Sequence, residues 1–333
     1  MDYAEFSEEQ RRQLIDAQQL YNAWWPASAD LQNGPRFVWN KSKGKRYLYE
    51  QRQGKRRSLG PETAALAKRK ADNDARIKTL RARVRRLRAR LDEMAPVNKA
   101  FGIARYPEIA SRITRELDRE GLLGEHIILA GTNALYAYEA ASAVFVGGRF
   151  TTTADADLIW DNRRALLLSA TSVVRSEGLM GILRRVDPTF VADYGMIVRN
   201  DRGYIVDLIV PENEEIASMR PPGDVEAQPI GGIEWLLLEK PFEEIVVGAD
   251  GLPVRMVVPE PRTFALHKLW VSQQKSRKAA KSAKDRAHAR IVANLAQSHL
   301  GLTITVKAMP WLPRPLRDLI PELKRVMRAA DED

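Results

Sequence analysis

An α+β chain is predicted by three features of the sequence. Aromatic and β-branched runs near the start are broken by glycine turns, a seven-residue apolar repeat runs from Leu66 to Met94, and short apolar strands alternate with helices beyond Tyr106. The 333 residues divide accordingly into an N-terminal helix and small basic β-meander (1–61), a long basic heptad helix with its linker (62–104), a mixed sheet with flanking helices (105–258) and a helical C-terminal domain (259–333).

The first thirty residues have helical apolar spacing (Phe6, Leu14, Ala17, Leu20), with an end expected near Trp24-Trp25-Pro26. Phe37-Val38-Trp39, Arg46-Tyr47-Leu48-Tyr49 and Arg56-Arg57-Ser58-Leu59 are separated by Ser42-Lys43-Gly44 and Gln53-Gly54, which gives three strands. In the next helix Leu66, Asn73, Leu80, Leu87 and Met94 are spaced by seven, as are Lys70, Ile77, Val84 and Leu91. This seam serves either a homodimeric coiled coil through 66–94 or one arm of a helical hairpin, and Ala95-Pro96 should end it. An amphipathic helix from Pro107, a buried strand at His126–Ala130, a helix from Asn133 to Ala143 and an extended stretch from Phe150 to Trp160 follow. A hairpin is expected with strands 195–198 and 204–210, and the chain is helical again beyond Pro259.

Composition narrows the function classes. Apolar (44%) and charged (29%) shares are those of a soluble globular protein, and no run approaches the ~18 apolar residues of a membrane span. The acidic N-terminus lacks a secretory layout. With no cysteine, thiolate zinc sites, disulfides and cysteine nucleophiles are excluded, and a cytoplasmic location fits. The four histidines are scattered, without the spacing of a histidine zinc site. From Lys55 to Arg90 the local charge is +11 against +10 for the whole chain, which points to a polyanionic partner at residues 55–90.

The chemistry concentrates in three places. Asp155 and Asp157, two apart in a strand, share a face. Asp207 interrupts the apolar strand 204–210, where an ionised carboxylate costs several kcal/mol unless something pairs with it. Shared by the three, a divalent cation would remove that cost, and Mg2+ suits hard oxygen ligands and phosphates. Gly131-Thr132 precedes a helix; glycine allows a tight turn, and Thr132 can cap the helix and face the terminal phosphates of a nucleotide.

Strand, Gly131-Thr132, helix, strand with Asp155-Ala156-Asp157, then Asp207 on a later strand resembles the DNA polymerase β-like nucleotidyltransferase superfamily. The run Gly-Thr-Asn-Ala-Leu-Tyr-Ala-Tyr-Glu-Ala followed by Thr-x-Asp-x-Asp-Leu is similar to an uncharacterised bacterial branch related to toxin–antitoxin nucleotidyltransferases. The resemblance spans about residues 105–300 and implies a polymerase β-like core plus a helical C-terminal domain. It further implies two Mg2+ ions (Mn2+ being an alternative) at the catalytic and metal-binding Asp155, Asp157 and Asp207. The substrate would be an NTP held by Gly131, Thr132, Lys268, Lys284 and Asp285, and Asp207 would help activate the acceptor hydroxyl. The segment from Pro261 to Trp270 resembles the start of the second domain, and its His267, beside an apolar stretch, reads as structural. One departure is that twenty-two residues separate Thr132 from Asp155, more than is usual in the superfamily.

The expected activity is transfer of a nucleoside monophosphate from an NTP to an acceptor hydroxyl, with RNA or tRNA leading because of the basic block. Two rivals share the fold: an inactive nucleic-acid-binding or dimerising module, and a toxin-type enzyme that modifies a protein.

Overall fold

The N-terminal third forms an arm. Strand β1 (Tyr3–Glu5) leads into helix α1 (Glu8–Asn33), opened by a capping box in which Ser7 and Gln10 each accept a hydrogen bond from the other's backbone amide. Three antiparallel strands follow: β2 (Arg36–Ser42), β3 (Lys45–Arg52) and β4 (Lys55–Pro61). Thr63 then caps α2 (Ala64–Ala100) by accepting from the Leu66 amide. The computed structural model describes residues 2–42, 44–52, 54–161, 172–193, 197–212 and 224–328, so Lys43, Gln53 and the expected strand start at Gly195 lie outside the described residues.

Two proline stops expected from sequence are overridden. Helix α1 runs through Pro26 because Ala27 is buried beyond it and Asp30 pairs with Arg76 of α2 at 2.7 Å. Helix α2 runs through Pro96 because Asn98 beyond it is fully buried, accepting from Gln13 and donating to the Gly251 carbonyl. Each proline costs one helical hydrogen bond, and the contacts on its far side outweigh that loss. The heptad seam of α2 faces α1: Leu87 and Leu91 pack with Leu20, and Asn73 donates to the Pro35 carbonyl. From Leu87 to Leu91 the seam thus packs on α1 as one arm of a helical hairpin.

The larger body begins with β5 (Ala104–Tyr106) and α3 (Glu108–Arg119), whose Ala110, Ile113 and Leu117 are buried. Next come β6 (Ile127–Leu129), a 3-10 turn (Gly131–Ala134), α4 (Leu135–Ser142), β7 (Val144–Val146), the short α5 (Gly148–Thr151) and β8 (Asp155–Trp160). Helix α6 (Ser172–Val186), kinked at Gly178, precedes β9 (Val191–Asp193), β10 (Ile197–Arg199), β11 (Ile205–Pro211) and β12 (Gln228–Ile230). Asn200 closes the β10–β11 turn by accepting from the amides of Arg202 and Tyr204. After a 3-10 segment (Ile233–Leu237), β13 (Phe242–Gly248) and β14 (Pro253–Val258) form an antiparallel pair, with β5 parallel to β13.

The main sheet has the order β6-β8-β11-β10-β9, with β12 alongside β11. It is mixed: β8 and β11 are parallel at its centre, and β6 and β10 run antiparallel to them. Helices α7 (Pro261–Ser272), α8 (Ala279–Ser298), α9 (Arg314–Arg317) and α10 (Ile320–Arg328) close the chain. One apolar core runs from Tyr106 to Met327, so the terminal helices and the main sheet are built on the same buried surface. That continuity carries α7 and α8 to the carboxylate-bearing strands. Among the described residues no helix is long and apolar enough to cross a membrane.

Candidate active site

Asp155, Asp157 and Asp207 lie on one face of the central parallel pair. The register of β8 and β11 sets Asp157 directly beside Asp207, and Asp155 lies two residues before Asp157. Neighbouring strands are ~4.8 Å apart and alternate residues along one strand ~6.6 Å, so the three carboxylates crowd a small patch. Ala156 and Leu158, on the other face, are buried. The backbone beneath is held tightly. The Ala130 amide donates to the Asp157 carbonyl at 2.8 Å, while the Asn133 amide group and the Tyr204 hydroxyl both donate to the Asp155 carbonyl.

Gly131 is fixed by two constraints. Its φ is +58°, and a Cβ there would stand 1.6 Å from Oδ2 of Asp157. The Asp157 carboxylate thus fills the space a side chain at 131 would take, and only glycine satisfies both demands. Thr132 is half-buried in the 3-10 turn, and the expected cap by Thr132 is not formed. Helix α4 starts at Leu135, without a side-chain cap, because residues 131–134 tighten into a 3-10 turn first.

The long Thr132–Asp155 connection has a structural use. After α4 the chain turns at Ala143 (φ 51°), and β7 pairs antiparallel with β1 from the N-terminus. The extra residues give β1 its partner strand. Arg290 of α8 reaches the same segment, pairing with Asp2 at 2.6 Å.

Electrostatics separates the three acids. Burial raises Asp157 to about 6; Lys268 opposes the rise, and Asp155 and Asp207 add to it. Asp207 is raised by burial and by Asp155, with Lys281 opposing. Asp155 accepts the hydroxyl of Thr153. Among the described residues no three His, Asp or Glu side chains are drawn close enough together to enclose a metal ion as they stand.

The cations come from α7, α8 and the turn between them. Lys268 donates to Oδ1 of the buried Asp285 at 2.9 Å, and Arg277 pairs with its Oδ2 at 2.6 Å. Burial would raise Asp285, but Lys268 and Arg277 more than offset this and hold it below the usual carboxylate range. Both of its oxygens are therefore occupied by protein cations, so Asp285 fixes Lys268 and Arg277. Lys284 donates to the Thr152 carbonyl at 2.9 Å, lowered by its partial burial and supported by Asp155. Arg277 and Lys281 were legible only as members of a basic segment; the α7–α8 packing is what points them at the acids. His267 is buried between Trp235 and Trp270, and neither ring nitrogen has a hydrogen-bond partner. Burial depresses it to about 3, so it is a neutral packing residue.

In comparisons with known proteins, neither the curated proteins nor the solved structures contain a match. A nucleotidyltransferase family model, in contrast, matches residues 108–309, more than half of the chain, a span that includes Asp155, Asp157, Asp207, Lys268, Arg277, Lys284 and Asp285. The chain belongs to this nucleotidyltransferase family.

Proposed function

We propose that the protein transfers a nucleoside monophosphate from an NTP to an acceptor hydroxyl, with Mg2+ held by Asp155, Asp157 and Asp207, and with an RNA end as the acceptor. The observation that carries this reading is the register placing Asp157 against Asp207, with Asp155 on the same face and Gly131 folded over Asp157. A hard divalent cation fits the donor set, since all three groups are carboxylates and the inner one is costly to ionise alone. An ion at Asp155 would replace the Thr153 hydroxyl. Bound there, two Mg2+ ions would stabilise the attacking and leaving oxygens of an in-line displacement.

The chain's own residues supply the rest. The 3-10 turn at Gly131-Thr132 brings backbone close to the carboxylates, where phosphates approach. Lys268 and Arg277, fixed by Asp285, and Lys284 offset the triphosphate's charge and the pyrophosphate that leaves. Asp207, beside the reacting centre, accepts the acceptor's hydroxyl proton. The hydroxyl oxygen bonds to the α-phosphorus as the α–β phosphoanhydride bond breaks.

RNA is favoured as acceptor by the unbalanced charge of α2. Its Lys70, Arg76 and Arg88 are ion-paired, while Lys68, Lys78, Arg81, Arg83, Arg85, Arg86 and Arg90 are exposed and have no ion pair among the described residues. Incubation with labelled NTPs, Mg2+ and total RNA should transfer label to RNA, and Asp155→Ala with Asp157→Ala should abolish it. Label transfer that persisted in that double variant would sink the mechanism.

A further inference from the structure

The three-stranded sheet of the arm has two unlike faces. Cross-strand partners share a face, so the register puts Phe37, Trp39, Arg46, Leu48, Glu50 and Arg57 on one side. That side is the packed one: Phe37 and Leu48 are buried, and Arg69 of α2 lies over the Phe37 ring. It also takes up the acids. Glu50 and Glu62 are the only carboxylates between Arg36 and Glu62; Glu50 pairs with Arg57 and Glu62 with Arg46.

The opposite face carries Arg36, Val38, Asn40, Lys45, Tyr47, Tyr49 and Arg56 and has no acid. Tyr47 and Tyr49 stand side by side on the central strand, Val38 is 38% exposed beside Tyr49, and the Arg56 guanidinium lies over the Tyr49 ring at 3.9 Å. Planar and apolar groups ringed by uncompensated cations match a ligand that is both flat and anionic.

We propose that this open face, continuous with the unpaired arginines of α2, binds a single-stranded segment of nucleic acid. The proposal rests on the reading of RNA as acceptor and names the part of the RNA recognised. Phosphates alone would call for the charges but not for Val38, Tyr47 and Tyr49. Base faces are available to aromatic side chains only where the strand is unpaired, because a duplex stacks them inside. Position favours a polymer over a small acceptor. The seam meets the main body around Leu91, and the sheet sits at the other end of α2 near Leu66, about 38 Å away at 1.5 Å per residue. A ligand held at the sheet must be long to engage both.

The test uses the full chain without NTP or Mg2+, following anisotropy of a labelled single-stranded RNA of about 15 nucleotides and of the matching duplex. The single strand should bind about tenfold tighter at equal salt. Tyr47→Ala with Tyr49→Ala should weaken it about tenfold or more, with the salt slope unchanged. Arg36→Gln with Arg56→Gln should instead reduce that slope by about 1.4, at ~0.7 per single-strand phosphate contact. If the alanine pair does not fold, Tyr47→Leu with Tyr49→Leu keeps apolar bulk without a stacking ring and should show the same loss. Equal binding of duplex and single strand, or tyrosine variants that bind like the parent, would overturn the proposal. Asp155→Ala with Asp157→Ala should bind the RNA normally. Label transfer without single-strand binding defeats this proposal alone, and binding without transfer defeats only the catalytic reading.

Discussion

The carboxylate patch and the basic arm both crowd like charges, and they tolerate the crowding by opposite means. On β8 and β11 the charges are half-buried, and the surrounding protein compensates them: Lys268, Arg277 and Lys281 oppose the burial and mutual repulsion of Asp157 and Asp207. On α2 the charges are exposed, and most have no ion-pair partner among the described residues, so water and counterions compensate them. A buried cluster answers to protons and bound ions, an exposed one to salt and polyanions. The two regions should therefore respond to different perturbations.

The largest separation is expected from Gly131→Ala. The added Cβ must displace the Asp157 carboxylate and the residue must hold a positive φ, so transfer should fall about a hundredfold or more. RNA binding, measured by anisotropy, should stay within about twofold, because the arm is untouched. Comparable losses in both measurements would mean that the two regions are not independent. A smaller, inverse effect is expected from replacing Arg81, Arg83, Arg85 and Arg86 together with Gln. RNA affinity should drop about tenfold to a hundredfold near 0.1 M salt, with the salt slope smaller by about 3. Because these side chains have no ion pair among the described residues, the thermal midpoint should hold or rise.

The smallest effect is on stability and pH. The folded value of Asp157, about 6, lies above its unfolded value. Its contribution is therefore full below about pH 4 and lost as pH rises through about 6. Thermal melts of the metal-free chain should show stability falling by ~1–2 kcal/mol between pH 5 and pH 7.5 on this account. Glu139, raised to about 7 by burial against its Arg105 partner, adds in the same direction. Asp157→Asn isolates the part due to Asp157 and should flatten the slope, and Mg2+ should raise the parent's midpoint more at pH 7.5 than at pH 5. A slope of equal steepness in the Asn variant would assign the effect elsewhere.

How far the site was legible depended on the residue. The strand phase of Asp155 and Asp157 follows from period-two alternation, because Ala156 and Leu158 have no alternative but the core face. The apolar run around Asp207 marked it as costly, yet Asp157 is the more perturbed of the two, since it lies under Gly131 as well as beside two other acids. No local pattern tells which carboxylate a turn will cover. Local rules favour Thr132 as a cap, but the 3-10 turn moves the helix start beyond its reach. The stops expected at Pro26 and Pro96 failed for a related reason: the contacts that carry each helix past its proline come from residues distant in the chain.

By itself, then, the sequence determined the α+β character, the small basic sheet, the apolar seam of α2 and three aspartates in strand contexts, because each is written in spacing that local geometry must obey. The tertiary structure decided the rest. It set Asp157 against Asp207, gave Asp285 to Lys268 and Arg277, laid α1 on the seam and left one face of the basic sheet open. Those outcomes depend on which surfaces meet across dozens of residues, and burial, register and charge compensation exist only once they have met.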